Sequence, residues 1–249
     1  MSRIPYKPDT MEHAFKKLEK LYSSIPETSG CLEYISKAFE DGGCGGKCCF
    51  LQNAQVLYCE FLRTLNDIMN NWSMEEFSNI IEKSLINYLN NHPTKSCILW
   101  NEKTKLCRCH MARPLSCYLY SIEDDEEFLP KFERMKEKYK SNPFAVFMDQ
   151  CHLSKTKDGS MLSKKRIEEL WNELVEIEKS IGVDENNIND DFGGTYRTFH
   201  DHLLIFLLPD YMMENLSKVR QFGNQEEKNK VVSTFMNILT PLAKNMTNK

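Results

Sequence analysis

Hydrophobic residues recur along most of the chain at intervals of three and four positions, which is the spacing of amphipathic α-helices. The pattern predicts helices over residues 11–22, 32–39, 54–69, 73–89, 163–181, 203–208, 210–222 and 226–242. Ser73 and Glu76 form a capping box at the start of one helix, and Pro93 follows its predicted end. The predicted fold class is therefore mainly α.

The stretch between residues 97 and 109 departs from the helical spacing. Residues 97–100 are short and apolar, residues 101–105 are polar, and a second short run reaches Cys109. This order predicts a small β-hairpin.

A polar stretch rich in Asn and Asp, residues 182–191, precedes the last predicted helices. We predict that residues 1–155 form a cysteine-cluster metal-binding domain. Residues 156–249 are then a helical extension packed on that domain.

Composition narrows the class of protein. The 249 residues are 41% hydrophobic and 27% charged, as in ordinary folded domains, and the net charge of −4 does not favour nucleic-acid binding. No signal peptide and no apolar run of membrane-spanning length is found in the sequence. We therefore expect a cytoplasmic protein with no nucleic-acid or membrane partner. In that reducing compartment, clustered cysteines bind metal or react more often than they form disulfides.

Two groups of cysteines carry the candidate chemistry. Residues 41–50, DGGCGGKCCF, contain the first group, and residues 96–120 contain the second; the members are Cys44, Cys48 and Cys49, then Cys97, Cys107, Cys109 and Cys117. Glycine lets the first loop wrap closely around a small centre, since it has no Cβ. We predict that the fold closes the two groups into one metal site.

The spacing favours an iron–sulfur cluster of the [4Fe-4S] type over zinc, and both remain open. Each centre needs four deprotonated ligands, and zinc sites commonly use C-x2-C pairs. The chain has C-x3-C-C and C-x-C instead. His110 and His152, each beside a cysteine, are weaker ligand candidates, and Cys59 is expected in the core.

The order of these residues resembles the YkgJ-like family of zinc- or iron-chelating CxxCxxCC domains. The resemblance rests on the loop from Cys44 to Cys49, on Cys97-x-Leu99, and on Cys107 followed by Arg113-Pro114-x-x-Cys117. It implies six metal-ligand candidates: Cys44, Cys48, Cys49, Cys97, Cys107 and Cys117. Six exceeds the four that one centre needs, so which four ligate is open, as is any part taken by Cys31, Cys109 or Cys151.

The C-x3-C-C loop has one residue more than is usual in that family, and it looks like the loop of flagellin lysine N-methylases. Three functions follow from these resemblances. The first is an iron–sulfur protein with a structural or redox role. The alternatives are a protein lysine N-methyltransferase that uses S-adenosylmethionine, for which no sequence motif is found, and a structural zinc protein. A protein substrate or redox partner is implied, and the substrate and oligomeric state are left open. Arg113 either offsets cluster charge or pins the loop.

Overall fold

A computed structural model describes residues 8–26, 55–90, 96–101, 103–104, 107–120, 122, 160–184 and 197–247, with scattered positions between 126 and 140. The described part is mainly helical, with one small antiparallel sheet. The predicted fold class is confirmed at this level. Cys44, Cys48, Cys49 and the rest of the glycine loop lie outside the described residues, as do the predicted helix over 32–39 and the linker over 182–191 beyond residue 184.

The first three helices follow the predicted apolar spacing. They are α1 (Pro8–Ser23), α2 (Tyr58–Asn71) and α3 (Met74–Asn90). The capping box at the start of α3 is confirmed, because Ser73 N donates to Glu76 Oε2 at 2.9 Å and Glu76 N donates back to Ser73 Oγ at 3.2 Å. The helix ends at Asn90, three residues before Pro93.

Two sequence predictions need correction. Residues 55–56 do not start a helix: they form β1 (Gln55–Val56), which pairs antiparallel with β2 (Arg197–Thr198). The hairpin predicted over 97–109 is reduced, among the described residues, to one antiparallel bridge between Trp100 and Cys107. Pairing of β1 with a segment 140 positions away leaves no trace in local sequence.

The remaining helices are α4 (Leu115–Leu119), α5 (Lys164–Ser180), α6 (Phe199–Leu207), α7 (Asp210–Phe222) and α8 (Gln225–Thr247). A 3-10 turn, His110–Ala112, precedes α4. Ser163 and Thr198 cap α5 and α6 by accepting hydrogen bonds from Arg166 N and Asp201 N. The last helix continues through Pro241 and runs five residues beyond its predicted end.

The core is one hydrophobic cluster to which α1–α8 all contribute. Helix α3 packs on α6, α7 and α8, while α2 packs on α1, α5 and α6. Phe61 lies at the centre of this packing, fully buried, with its ring against those of Phe199, His202 and Phe206. The helices after residue 156 thus share a core with α1–α3, and the domain boundary at 155 stays a prediction.

Within the described ranges, no helix combines the length and the apolar character that crossing a lipid bilayer requires.

Candidate metal centre

Three of the six predicted ligands, Cys97, Cys107 and Cys117, are described, and each is half-buried. They belong to what we name the cysteine segment, the described residues between 96 and 119. Cys44, Cys48 and Cys49 lie outside the described residues, as do the further candidates Cys31 and Cys151. The grouping of all six predicted ligands therefore stays a prediction.

Backbone hydrogen bonds bring Cys97 and Cys107 onto one short turn. Trp100 N donates to Cys97 O at 3.0 Å, and Arg108 N donates to Leu99 O at 3.0 Å beside the bridge between Trp100 and Cys107. Cys107 is thus one of the two paired residues, and Cys97 lies three positions before the other, Trp100.

Cys109 lies deeper than its neighbours and is 1% exposed. Burial raises the pKa of its thiol well above the usual value, and the charges of Cys107, Asp67 and Cys97 raise it further. Without a metal or another cation, Cys109 is therefore a protonated thiol at neutral pH.

The charge of Arg108 acts in the opposite direction and lowers the pKa of Cys109. Its guanidinium lies 4.6 Å from the centre of the Trp72 ring and forms an ion pair with Glu76. Trp72 and Glu76 belong to the corner between α2 and α3. The turn that carries Cys107 and Cys109 is thus attached to the helical core by a cation–π contact and an ion pair.

Cys117 is in α4, whose start is bound to two other elements. Leu115 N donates to the buried Glu60 Oε1 of α2 at 2.6 Å. Ser116 Oγ donates to Gln55 O of β1 at 3.0 Å. Gln55 is the first described residue after the glycine loop, six positions after Cys49. Gln55 therefore lies beside Ser116, the residue that precedes Cys117.

Arg113 contacts side chains at the same turn. Its guanidinium lies 4.1 Å from the centre of the Tyr118 ring and is bonded to the ring of His110. Tyr118 stacks on Tyr22 at 4.9 Å, and the Arg63 guanidinium lies 4.7 Å from the centre of the Tyr22 ring. These contacts of Arg113 are to side chains, so its two predicted roles, the offset of cluster charge and the pinning of the loop through backbone carbonyls, stay predictions.

Burial and the adjacent charge of Arg113 lower the pKa of His110 from 6.5 to about 4. The imidazole is therefore neutral at physiological pH, which is the form that binds metals. His110 begins the 3-10 turn directly after Cys109. His202 is structural, since its Nε2 lies 3.1 Å from Val56 O and its ring stacks on Phe61.

Sequence reasoning missed two buried carboxylates at the start of α2. Glu178 of α5 accepts hydrogen bonds from Tyr58 N at 2.9 Å and Cys59 N at 2.7 Å, and so caps the helix from outside. Glu60 accepts from Leu57 N at 3.0 Å. Burial raises the pKa of Glu60, and the charge of Glu178 adds to this. A signal was available in the sequence, because both glutamates occupy positions of an apolar helix face.

Cys59 is confirmed as a core residue and is fully buried. Burial, then the charges of Glu178 and Glu60, raise the pKa of its thiol well above the usual value. Among the described residues, no three or more histidine, cysteine or acidic side chains converge closely enough to hold a metal ion. The described half of the predicted ligand set does not form a site by itself.

Comparison of the chain with protein-family models, with curated proteins and with solved structures gave no significant match.

Proposed function

We propose that this chain is a metal-binding protein whose cysteines hold an iron–sulfur cluster of the [4Fe-4S] type, with a structural or redox role. The ligands come from Cys44, Cys48, Cys49, Cys97, Cys107 and Cys117. Thiolates are the ligands that iron–sulfur clusters take, and clusters of this type need four.

The observation that carries the proposal is the hydrogen bond between Ser116 Oγ and Gln55 O, 3.0 Å long. It fixes the end of the segment that follows the glycine loop beside the residue preceding Cys117. Six residues span at most about 20 Å. Chain length therefore allows the glycine-loop cysteines to reach the cysteine segment.

Two further observations support the proposal. The bond from Trp100 N to Cys97 O and the pairing of Trp100 with Cys107 hold these two cysteines close to one turn. Arg108 follows Cys107 on that turn, and its charge lowers the pKa of Cys109 against the larger opposing effect of burial. When bound, the cluster would link the glycine loop to the cysteine segment, and metal binding of this kind contributes directly to folding.

The decisive experiment is anaerobic purification of the full chain, followed by iron, zinc and acid-labile sulfide analysis and an absorption spectrum. We expect iron and sulfide in about equal amounts, as in a [4Fe-4S] cluster, and a thiolate-to-iron charge-transfer band. Reversible bleaching by dithionite with the fold retained would identify the redox role. A colourless protein with stoichiometric zinc would replace the iron assignment with the structural zinc alternative.

The methyltransferase alternative is tested by titrating the metal-loaded chain with S-adenosylmethionine in a calorimeter. Saturable heat would favour an enzyme that modifies a protein, and the absence of heat would count against it.

A further inference from the structure

Two polar side chains of α2 hold the backbone on either side of residues 113–114. Glu60 Oε1 accepts a hydrogen bond from Leu115 N at 2.6 Å, and Thr64 Oγ1 donates one to Ala112 O at 3.0 Å. Residues four apart in a helix lie on the same face. Glu60 and Thr64 therefore lie on one face of α2, and their side chains bind the backbone at both ends of the Arg113–Pro114 turn.

These two side chains are among the most buried polar groups described, 2% exposed for Glu60 and 1% for Thr64. A buried carboxylate is tolerated only where donors satisfy it. Glu60 has three donors, since it accepts from Tyr22 Oη at 2.7 Å and from Leu57 N at 3.0 Å in addition to Leu115 N. The donors come from α1, from the start of α2 and from α4, so the carboxylate is fixed from three directions.

The position of Cys117 depends on the Arg113–Pro114 turn that Glu60 and Thr64 hold. Cys117 N donates to Pro114 O at 2.9 Å, and Tyr118 N donates to the same oxygen at 3.1 Å. Pro114 lies between the two anchored residues, Ala112 and Leu115. The orientation of Cys117 is therefore set by a carbonyl that Glu60 and Thr64 hold in place.

We propose that Glu60 and Thr64 are positioning residues for Cys117, which fix the Arg-Pro turn before a metal binds and so present the thiol in one orientation. Ligand sets that are held by neighbouring hydrogen bonds bind metal more tightly than loose ones. The metal part of this inference rests on the proposed function, whereas the holding of the turn does not.

The test compares substitutions in the full chain, first without metal. Thr64→Val keeps the side-chain shape and removes the hydroxyl, while Thr64→Ser keeps the hydroxyl. Glu60→Gln replaces one carboxylate oxygen by an amide nitrogen. The matched control is Ser84→Ala, which deletes a fully buried hydroxyl whose bond to Ile80 O stays within α3.

In the metal-free protein we expect hydrogen exchange of amides 115–119 to rise about fivefold in Thr64→Val and in Glu60→Gln. Thr64→Val loses the bond to Ala112 O, and Glu60→Gln leaves one acceptor oxygen for the three donors Tyr22 Oη, Leu57 N and Leu115 N. Thr64→Ser and Ser84→Ala should match the wild type there. After reconstitution with ferrous iron and sulfide, the charge-transfer absorbance per chain should fall in Glu60→Gln and Thr64→Val, and Thr64→Ser should restore it.

Unchanged exchange over residues 115–119 in Thr64→Val, or a rise spread evenly over all helices, would overturn the positioning role. Should Glu60→Gln fail to fold, the Thr64 pair decides alone. A wild-type chain that takes up no iron would overturn the proposed function only, because the exchange measurement needs no metal.

Discussion

The helical core and the cysteine segment are held together in different ways. Around Phe61 the helices pack apolar side chain against apolar side chain. Most contacts there are of the same kind, between buried hydrophobic groups. The cysteine segment also buries Leu99 and Leu115, yet its turns depend on single contacts from Glu60, Thr64 and Trp72. Apolar packing tolerates change gradually, whereas a turn held by one hydrogen bond is lost when that bond is lost.

The cysteine segment and the helical core should therefore respond differently to substitution. Each hydrogen bond contributes about 1 kcal/mol to stability, while one large core side chain contributes several times more. Substitutions that remove one of these single contacts should therefore disturb the thiols without unfolding the chain. Substitutions in the core should unfold the chain without any specific effect on the thiols.

The largest effect is expected from Phe61→Ala in the core. Removal of this fully buried ring should lower the free energy of unfolding by about 3–5 kcal/mol, because it leaves a cavity among Phe199, His202 and Phe206. Urea unfolding followed by circular dichroism measures the change. The matched control is Phe222→Ala, whose ring is 77% exposed and whose loss should cost less than about 0.5 kcal/mol. Equal losses in the two variants would mean that the described core does not carry the stability.

A smaller effect is expected from Glu178→Ala, which removes the acceptor shared by Tyr58 N and Cys59 N. Buried amides that lose their acceptor cost about 1–3 kcal/mol. Urea unfolding should show a loss in that range, and Glu178→Gln, which keeps one acceptor oxygen, should lose less.

The control for Glu178 is Glu176→Ala on the exposed face of the same helix, where the side chain is 70% exposed and pairs with Lys179. Its loss should change stability by less than about 0.5 kcal/mol. If Glu176→Ala and Glu178→Ala behaved alike, the capping of α2 by α5 would be wrong.

A pH-dependent effect sharpens the comparison, since it arises in the cysteine segment. The pKa of His110 falls from 6.5 to about 4 on folding. Between these two pH values the unfolded chain binds a proton at His110 that the folded chain does not bind. The stabilising contribution is therefore complete above about pH 6.5 and is lost as the pH falls towards about 4. Unfolding of the metal-free protein at several pH values should show this loss, and His110→Gln should show a flatter profile.

Burial raises the pKa of Glu60, so the contribution of Glu60 to folding stability depends on pH in the opposite direction. That contribution is lost as the pH rises above 4.5. The difference between the His110→Gln and wild-type profiles removes this shared contribution. Parallel profiles would show that His110 is not shielded from protonation by its burial and by Arg113.

The sequence predicted the helices well, because their apolar spacing and end signals are local. Ser73 with Glu76, and Pro93 after Asn90, mark α3 within a few residues. It did not predict β1, whose partner strand is far along the chain. The role of Glu178 was equally hidden, since it bonds to amides 119 and 120 positions away.

For the candidate site, the sequence predicted the cysteine ligands but not the side chains that hold their turns in place. The spacing of Cys97, Cys107 and Cys117 is visible by eye, whereas Glu60 and Thr64 become relevant only when α2 is placed beside α4. A glutamate and a threonine at apolar positions of a helix were the available hint. Their partners, Leu115 N and Ala112 O, are backbone groups and carry no sequence signal.

The central claim is that thiolates of the cysteine segment bind a metal, and X-ray absorption of the anaerobically purified chain tests it most directly. We expect absorption at the iron edge with sulfur as the nearest neighbours. The iron signal should be lost in the double variant Cys107→Ser, Cys117→Ser and retained in Cys59→Ala. A wild-type chain without metal, or a metal surrounded by nitrogen and oxygen alone, would contradict the claim.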